Sequence, residues 1–241
     1  ASRAAPVGAP AADRRRPRTR ITINGKFLGG TLLGSGVHRT ALHFSAELMR
    51  RAAGHAPCRL LTPGVRDTET VARMGLAPEL RPSALGGGQA WEMLALPALT
   101  RGELLVSFCN LAPVLHGNSV VMIHDTQTLD HPDAYGWRQV AGYRALWPLI
   151  GRRSRAILTV SDYSRRALAA RGIGTLDRIF VVPNGTDHIL GVTPDGTILS
   201  RLGLAGRPFA PAIGSAQKYK NPPTPFRAFR APGLAGIPLV V

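Results

Sequence analysis

The feature that most constrains this chain is a recurrence: short, uninterrupted apolar runs separated by stretches of helical period. The runs are Ile21–Ile23, Leu60–Leu61, Leu104–Phe108, Val120–Ile123, Ile157–Val160 and Ile179–Val182, with weaker ones at Phe209–Ile213 and Pro238–Val241. Most lack the in-and-out alternation of a half-exposed strand. Strands that are apolar on both faces belong to a parallel sheet covered by helices on both sides. Between the runs, Val37–Ala53 sets Val37, Ala41, Phe44 and Leu48 on one helical stripe. Trp137–Arg153 does the same with Val140, Tyr143, Trp147 and Ile150. Ser161 and Asp162 offer an N-cap to a helix over Tyr163–Arg171, closed by Gly172. Alternating strand and helix predicts an α/β fold, a Rossmann-like parallel sheet with helices on both faces and right-handed crossovers.

Two boundaries divide the chain. The first 19 residues read as a disordered basic arm, since residues 1–20 hold Arg3, Arg14, Arg15, Arg16, Arg18 and Arg20 against Asp13 alone. The arm has no apolar core of the ~7–15 residues that a secretory signal needs. Residues 20–190 then form an N-terminal Rossmann-like domain, and 191–207, rich in Gly, Thr and Pro, form a linker. Residues 208–241 start an incomplete second Rossmann-like domain. That reading makes the chain a truncated one, because Leu239-Val240-Val241 lies inside an apolar run.

Composition narrows the function classes. Thirty Lys and Arg against fourteen Asp and Glu give a net charge of +16, and only Lys26, Lys218 and Lys220 are lysines. An arginine excess draws polyanions, because guanidinium grips phosphate with two prongs. Aromatic residues make up only 6%. No zinc spacing or stacking platform accompanies the charge, which argues against a specific nucleic-acid binder. No stretch approaches the ~18 consecutive apolar residues of a spanning helix. Cys58 and Cys109 sit in apolar runs and read as free thiols in a reducing, cytoplasmic setting.

In an open parallel sheet, ligands bind beyond the carboxyl ends of the strands, so the loops after the strands carry the candidate chemistry. Asn24 to Gly36 holds five glycines before a helix N-terminus. Backbone amides there can approach an anion. The dinucleotide and Walker spacings are both absent. An anion loop with Gly34, Ser35 and Gly36 and a plain flexible loop are therefore both open readings. His124-Asp125 closes the fourth run. It is either a titratable pair aimed into the crevice or a strand-ending turn in which Asp125 caps the residues after it. His124 and His131 lack a third metal ligand of suitable spacing, so no metal site is expected. His38 and His43 lie on different helix faces and read as surface residues. Ser161 caps its helix, and with Arg165 or Arg166 nearby it could contact an anion. Gly214, Ser215, Lys220 and Asn221 come after a strand and read as a phosphate site.

Taken in order, these pieces resemble the family-four (group one) retaining glycosyltransferases of the GT-B fold, particularly mannosyl- and rhamnosyltransferase-like members. The carrying residues are Asn24-Gly25-Lys26-Phe27-Leu28 with Gly36-Val37-His38-Arg39, Trp91-Glu92 with Leu96-Pro97, and Leu105 to Pro113. Ile123-His124-Asp125 with His131-Pro132, Leu158 to Ser164, Val181 to Gly185, and Gly214-Ser215 with Lys220-Asn221 complete the set. The resemblance implies an N-terminal domain that receives the acceptor and a C-terminal one that holds a sugar nucleotide, with GDP-mannose among the candidate donors. It implies that Gly34–Gly36 line the cleft near the donor phosphates. His124 would contact the donor sugar, Asp125 would orient it, and Lys220 would neutralise the departing diphosphate. The acceptor would be a cell-surface polysaccharide or a lipid-linked saccharide, and the protein would be cytoplasmic and peripheral on the inner membrane face, an anionic membrane surface being a further candidate partner. Two departures mark the chain. Tyr219 stands where the family has Arg, and Glu103 is the last glutamate, so the family's C-terminal glutamate pair is absent. The chain alone is accordingly expected to be inactive. The alternative is a non-catalytic module that binds an acceptor or an anionic membrane.

Overall fold

A computed structural model describes residues 19–30, 35–84, 86–214, 220–234 and 236–241. The basic arm up to residue 18 thus lies outside the described residues. In chain order the strands are β1 (Ile21–Asn24), β2 (Cys58–Thr62), β3 (Glu79–Leu80), β4 (Leu104–Ser107), β5 (Ser119–Met122), β6 (Ala156–Thr159), β7 (Ile179–Val181), β8 (Ala210–Pro211) and β9 (Leu239–Val240). The helices are α1 (Gly36–Ala52), α2 (Thr68–Arg73), α3 (Leu96–Leu99), α4 (Gln127–Asp130), α5 (Trp137–Arg153), α6 (Asp162–Ala170), α7 (Ile198–Arg201) and α8 (Pro223–Ala228).

Seven strands make one Rossmann-like sheet in the order β3-β2-β1-β4-β5-β6-β7. Pairings from β3 through β6 are parallel, with Ile23 opposite both Leu60 and Val106, and Val121 opposite Ile157. The chain first winds outward from β1 to β3, then returns to the other side of β1 at β4. That reversal is the switch point where such sheets bind ligands. β8 and β9 pair in parallel in a separate two-stranded sheet. The chain divides into two units: residues up to His124 with Ile150–Leu158, and Asp125–Leu149 with Thr159 onward.

The apolar runs of β1, β2, β4, β5 and β6 became strands because both their faces are covered, whereas β7, β8 and β9 stay partly exposed, with Phe180 52% exposed. Ile23, Leu60, Leu61, Leu105, Val121 and Ile157 are all buried. Strand β3 has no such run. It is a two-residue edge carrying Glu79, which pairs with Arg59 at 3.1 Å, and charge on an edge strand guards it against pairing with other chains. In α1 the buried positions are Ala41, Leu42, Ser45 and Ala52. The helix is therefore turned about one residue from the stripe read in the sequence. Ser45 stays satisfied by donating its hydroxyl to the Ala41 carbonyl at 2.6 Å. At α6 the expected cap forms, with Ser161 accepting from the Ser164 amide, and Gly172 takes the left-handed conformation just past the end.

The exit from β1 requires glycine for lack of room. A Cβ on Gly25 would sit 2.8 Å from the Leu61 carbonyl oxygen and 2.9 Å from Leu60 Cδ1. Backbone cannot swing aside as a flexible side chain can. Gly25→Ala is expected to lower stability by about 1–3 kcal/mol, the usual cost of overpacking, measured as a shift in the urea midpoint. An unchanged midpoint would contradict the close approach.

Candidate functional site

The carboxyl ends of β1, β2 and β4 place three polar residues side by side: Asn24, Thr62 and Ser107, all buried. A buried polar group must find partners, and here those partners build a site. Asn24 donates from Nδ2 to Glu92 Oε1 at 2.6 Å and to Ser107 Oγ at 3.1 Å. Its Oδ1 accepts the Lys26 amide at 3.2 Å. Lys26 Nζ donates to Glu92 Oε2 at 2.5 Å. The Glu92 side chain is only 2% exposed and that of Lys26 23%, so the pair grades from the interior to the surface.

Glu92 reaches this position because its neighbour is anchored. Trp91 is wholly buried against Leu61, Leu96 and Leu105, and its Nε1 donates to the Arg81 carbonyl at 2.8 Å. With the indole locked between β2 and β4, the next side chain projects at the strand ends. Ionised Glu92 loses several kcal/mol of hydration there, and the Lys26 ammonium and Asn24 amide offset it.

Lys26 also lines a cavity of about 400 Å³, together with Phe27, Gly29, Gly30, His38, Pro63, Gly64 and Gly87. Thr62 bridges its two walls, its Oγ1 lying 2.8 Å from the carbonyl oxygens of both Gly25 and Gly64, which share its one hydroxyl proton. The Arg66 amide adds a bond to the Leu28 carbonyl at 2.9 Å. His38 is half-buried on this cavity rather than a surface residue, which corrects the sequence expectation. A Cβ on Gly30 would lie 3.0 Å from His38 Cε1, so the ring leans on the loop. Ammonium, imidazole and several side-chain-free backbone segments suit a small, polar, oxygen-rich group.

Cys109 reports on the same cluster. Burial, reinforced by the Glu92 carboxylate and opposed by the Lys26 ammonium, pushes its thiol up to about 12 from 9.0. The thiolate is the reactive form. At pH 8, iodoacetamide should therefore modify Cys109 about a thousandfold more slowly in the folded chain than in urea, read by mass spectrometry of the digest. Equal rates would refute this environment. Both cysteines are free thiols.

The other residues expected from the sequence occupy several settings. The His124 amide donates to Asn110 Oδ1 at 2.9 Å, and its buried ring faces the Phe108 carbonyl from Nε2 at 2.9 Å. A carbonyl only accepts, so Nε2 carries the proton. Asn110 holds a left-handed φ of 63° to make this turn. Asp125 Oδ1 accepts the Gln127 amide at 2.9 Å as α4 begins, which is the local geometry of a turn-former. Ser35 is the extended N-cap of α1 without a side-chain capping bond, and Gly36 is its exposed first residue. Gly214, Lys220 and Asn221 are exposed, Asn221 with a φ of 51°. Gly34 and Ser215 lie outside the described residues. Among the described residues, no cluster of His, Cys, Asp or Glu could hold a metal ion.

Sequence reasoning quoted Lys26 and Glu92 among the residues that carry the resemblance but gave neither a chemical role. The available signal was a lone carboxylate inside the apolar stretch Trp91 to Leu96, since an acid is seldom buried unless paired.

No family model and no curated protein matches the chain. Solved structures do share its fold. HepE (Alr3699) of Anabaena in complex with UDP superposes with a TM-score of 0.60 at 14% identity, covering 92% of this chain and 60% of that one. Its complex with UDP-glucose gives 0.62 at 14% identity, with the same coverage of 92% and 60%. The complex with UDP and glucose gives 0.56 at 15% identity, covering 85% and 55%. This chain thus spans about 60% of the length of those chains, and what it shares with HepE is the Rossmann-like α/β fold.

Proposed function

We propose that this chain belongs to a glycosyltransferase that takes its sugar from a nucleotide-diphosphate sugar, and that the cavity beside Lys26 receives the acceptor. The observation that carries the reading is the position of the Asn24–Glu92–Lys26 cluster and its glycine-lined cavity. They lie beyond the carboxyl ends of β1, β2 and β4, at the switch point of the sheet. The UDP and UDP-glucose held by HepE support a sugar nucleotide as the partner.

In such a transfer an acceptor hydroxyl oxygen forms a bond to the anomeric carbon while the bond from that carbon to the diphosphate oxygen breaks. The departing diphosphate oxygen takes the electron pair of the broken bond, and with it the added negative charge that accepts the proton of the acceptor hydroxyl. Cations and amide dipoles aimed at that charge supply most of the stabilisation. We assign that role to Lys220 with Gly214, Ser215 and Asn221. We assign His124 and Asp125 to the donor sugar, and Gly34–Gly36 to the phosphates. Lys26 would fix an acceptor oxygen, its remaining ammonium protons directed by the Glu92 carboxylate. Retention at the anomeric carbon and a mannosyl- or rhamnosyl-type donor are the finer form of this proposal.

The test is binding, because the chain spans only part of the length of HepE. Titration calorimetry of the 241-residue chain with UDP-glucose and with GDP-mannose is expected to show saturable binding, competed by the free nucleotide and weakened by Lys220→Ala. No response to either sugar nucleotide would overturn the proposal. Saccharide binding without any nucleotide response would assign the chain to a non-catalytic module instead.

A further inference from the structure

Three of the glycines that line the cavity beside Lys26 are not required by the chain's own packing. A Cβ on Gly64 would meet nothing within 4 Å, one on Gly29 would lie 3.9 Å from the Gly64 carbonyl oxygen, and one on Gly87 would lie 3.5 Å from Pro63. Those distances are open space and ordinary contact. None of the three has a positive φ. Alanine would therefore fit without strain, and it would restrict the unfolded chain. Gly25 is the contrast, since the Leu61 carbonyl already occupies the place of its Cβ. What the three missing side chains leave open is the cavity itself, about 400 Å³, within the ~300–1,000 Å³ of small-molecule sites.

Charge narrows what can fill that room. Lys26 and His38 are the titratable side chains of the lining, and no carboxylate joins them. Glu92 lies behind the ammonium, only 2% exposed, with one oxygen on Asn24 and the other on Lys26. An ammonium has three protons, so Lys26 keeps donors for a ligand. Its charge is already shared with Glu92. One shared ammonium beside an imidazole suits a singly charged carboxylate, whereas a phosphate dianion calls for further cations or a nest of amides. Phe27 and Pro63 supply the apolar part of the lining, on which the C–H face of a sugar ring can lie.

We infer that the acceptor residue held in this cavity is a hexuronic acid, and that Gly29, Gly64 and Gly87 set the size of the sugar admitted. Its carboxylate accepts from the Lys26 ammonium and from an N–H of the His38 ring. The inference rests on the reading that the cavity receives the acceptor, and it names the acceptor's class. A hydrogen bond to a charged group contributes more than one to a neutral hydroxyl, so the uronate binds about tenfold more tightly than the matching neutral hexose.

The test is an NMR titration of the isotope-labelled 241-residue chain with methyl glucuronide, methyl glucoside and inorganic phosphate, following the amides of the cavity loops. The glucuronide is expected to shift them saturably and about tenfold more tightly than the glucoside. The variant Gly29→Ala/Gly64→Ala/Gly87→Ala should weaken that binding by about tenfold or more while keeping or raising the urea midpoint. Gly64→Leu should abolish the binding. The triple variant keeps every charge, so a general attraction of anions to this basic chain would survive in it. Undiminished binding by the triple variant would therefore overturn the inference, and so would a fallen urea midpoint, which would give the glycines to the fold. Phosphate binding as tight as the glucuronide's would make this a phosphate site and overturn it too. Equal binding of glucoside and glucuronide, lost in the triple variant, would sink the inference and leave the cavity to a neutral acceptor. No shift with either sugar would remove the acceptor from the cavity altogether, whatever the chain's response to sugar nucleotides.

Discussion

Glu92→Ala is expected to cost about 3–5 kcal/mol of stability, the range for removing one partner of a buried, hydrogen-bonded charge pair. The carboxylate uses one oxygen for Asn24 and the other for Lys26. Alanine strands an amide and an ammonium at the sheet's end. Glu92→Gln separates the two losses, since it keeps an acceptor for Asn24 and removes only the charge. Cys109 then provides a second readout. The Glu92 carboxylate helps to hold that thiol up, so its removal should lower the thiol pKa and speed alkylation at pH 8. Urea unfolding measures the first effect and the labelling rate the second. A loss below ~1 kcal/mol, within reach of an ordinary surface change, would show that the pair is solvated and that the site as described is wrong.

Arg59→Ala should be as costly, at the opposite end of the same strands. Its guanidinium donates to Thr22 Oγ1 at 2.9 Å, Glu79 Oε2 at 3.1 Å, the Leu99 carbonyl at 3.0 Å and Glu103 Oε2 at 3.0 Å. Thr22 also donates to Glu103. One cation thus ties β1, β2, β3 and the entrance to β4, with the Arg59 and Glu103 side chains each only 15% exposed. Its removal leaves the Glu103 carboxylate with only Thr22 and the exposed Arg20, 3.5 Å away, as partners, a loss of about 3–5 kcal/mol. Arg59→Met with Glu103→Leu should recover much of it, because removing both charges also removes the stranded one. If the double variant is no better than the single one, the penalty lies in packing and not in charge. The cavity beside Lys26 is built at the other ends of the strands, so Cys109 labelling should stay unchanged in the folded Arg59→Ala chain.

The two clusters show where sequence reading reached its limit. Glu103 and Arg59 are 44 positions apart and Lys26 and Glu92 are 66 apart. No periodicity joins residues at such separations. They meet because β1 lies between β2 and β4, an order decided when the whole sheet assembles. His38 shows the same limit on a smaller scale. Helical period assigned it correctly to α1, but its exposure depends on Gly30 and on the loop after β2, which close over it. His124 could be placed at a strand end from the run before it. That its ring faces the Phe108 carbonyl follows only from β4 lying beside β5.

By itself the sequence determined what local forces determine. The apolar runs of the central strands became strands because no face of them could stay wet. Trp137–Arg153 became a helix with Val140, Trp147 and Ile150 inside, and Ser161 capped the next one. The tertiary structure alone decided which polar side chains share a cavity and which cation neutralises which carboxylate. Those pairings are worth forming only where water has been excluded, and exclusion is a property of the assembled sheet, not of any segment of it.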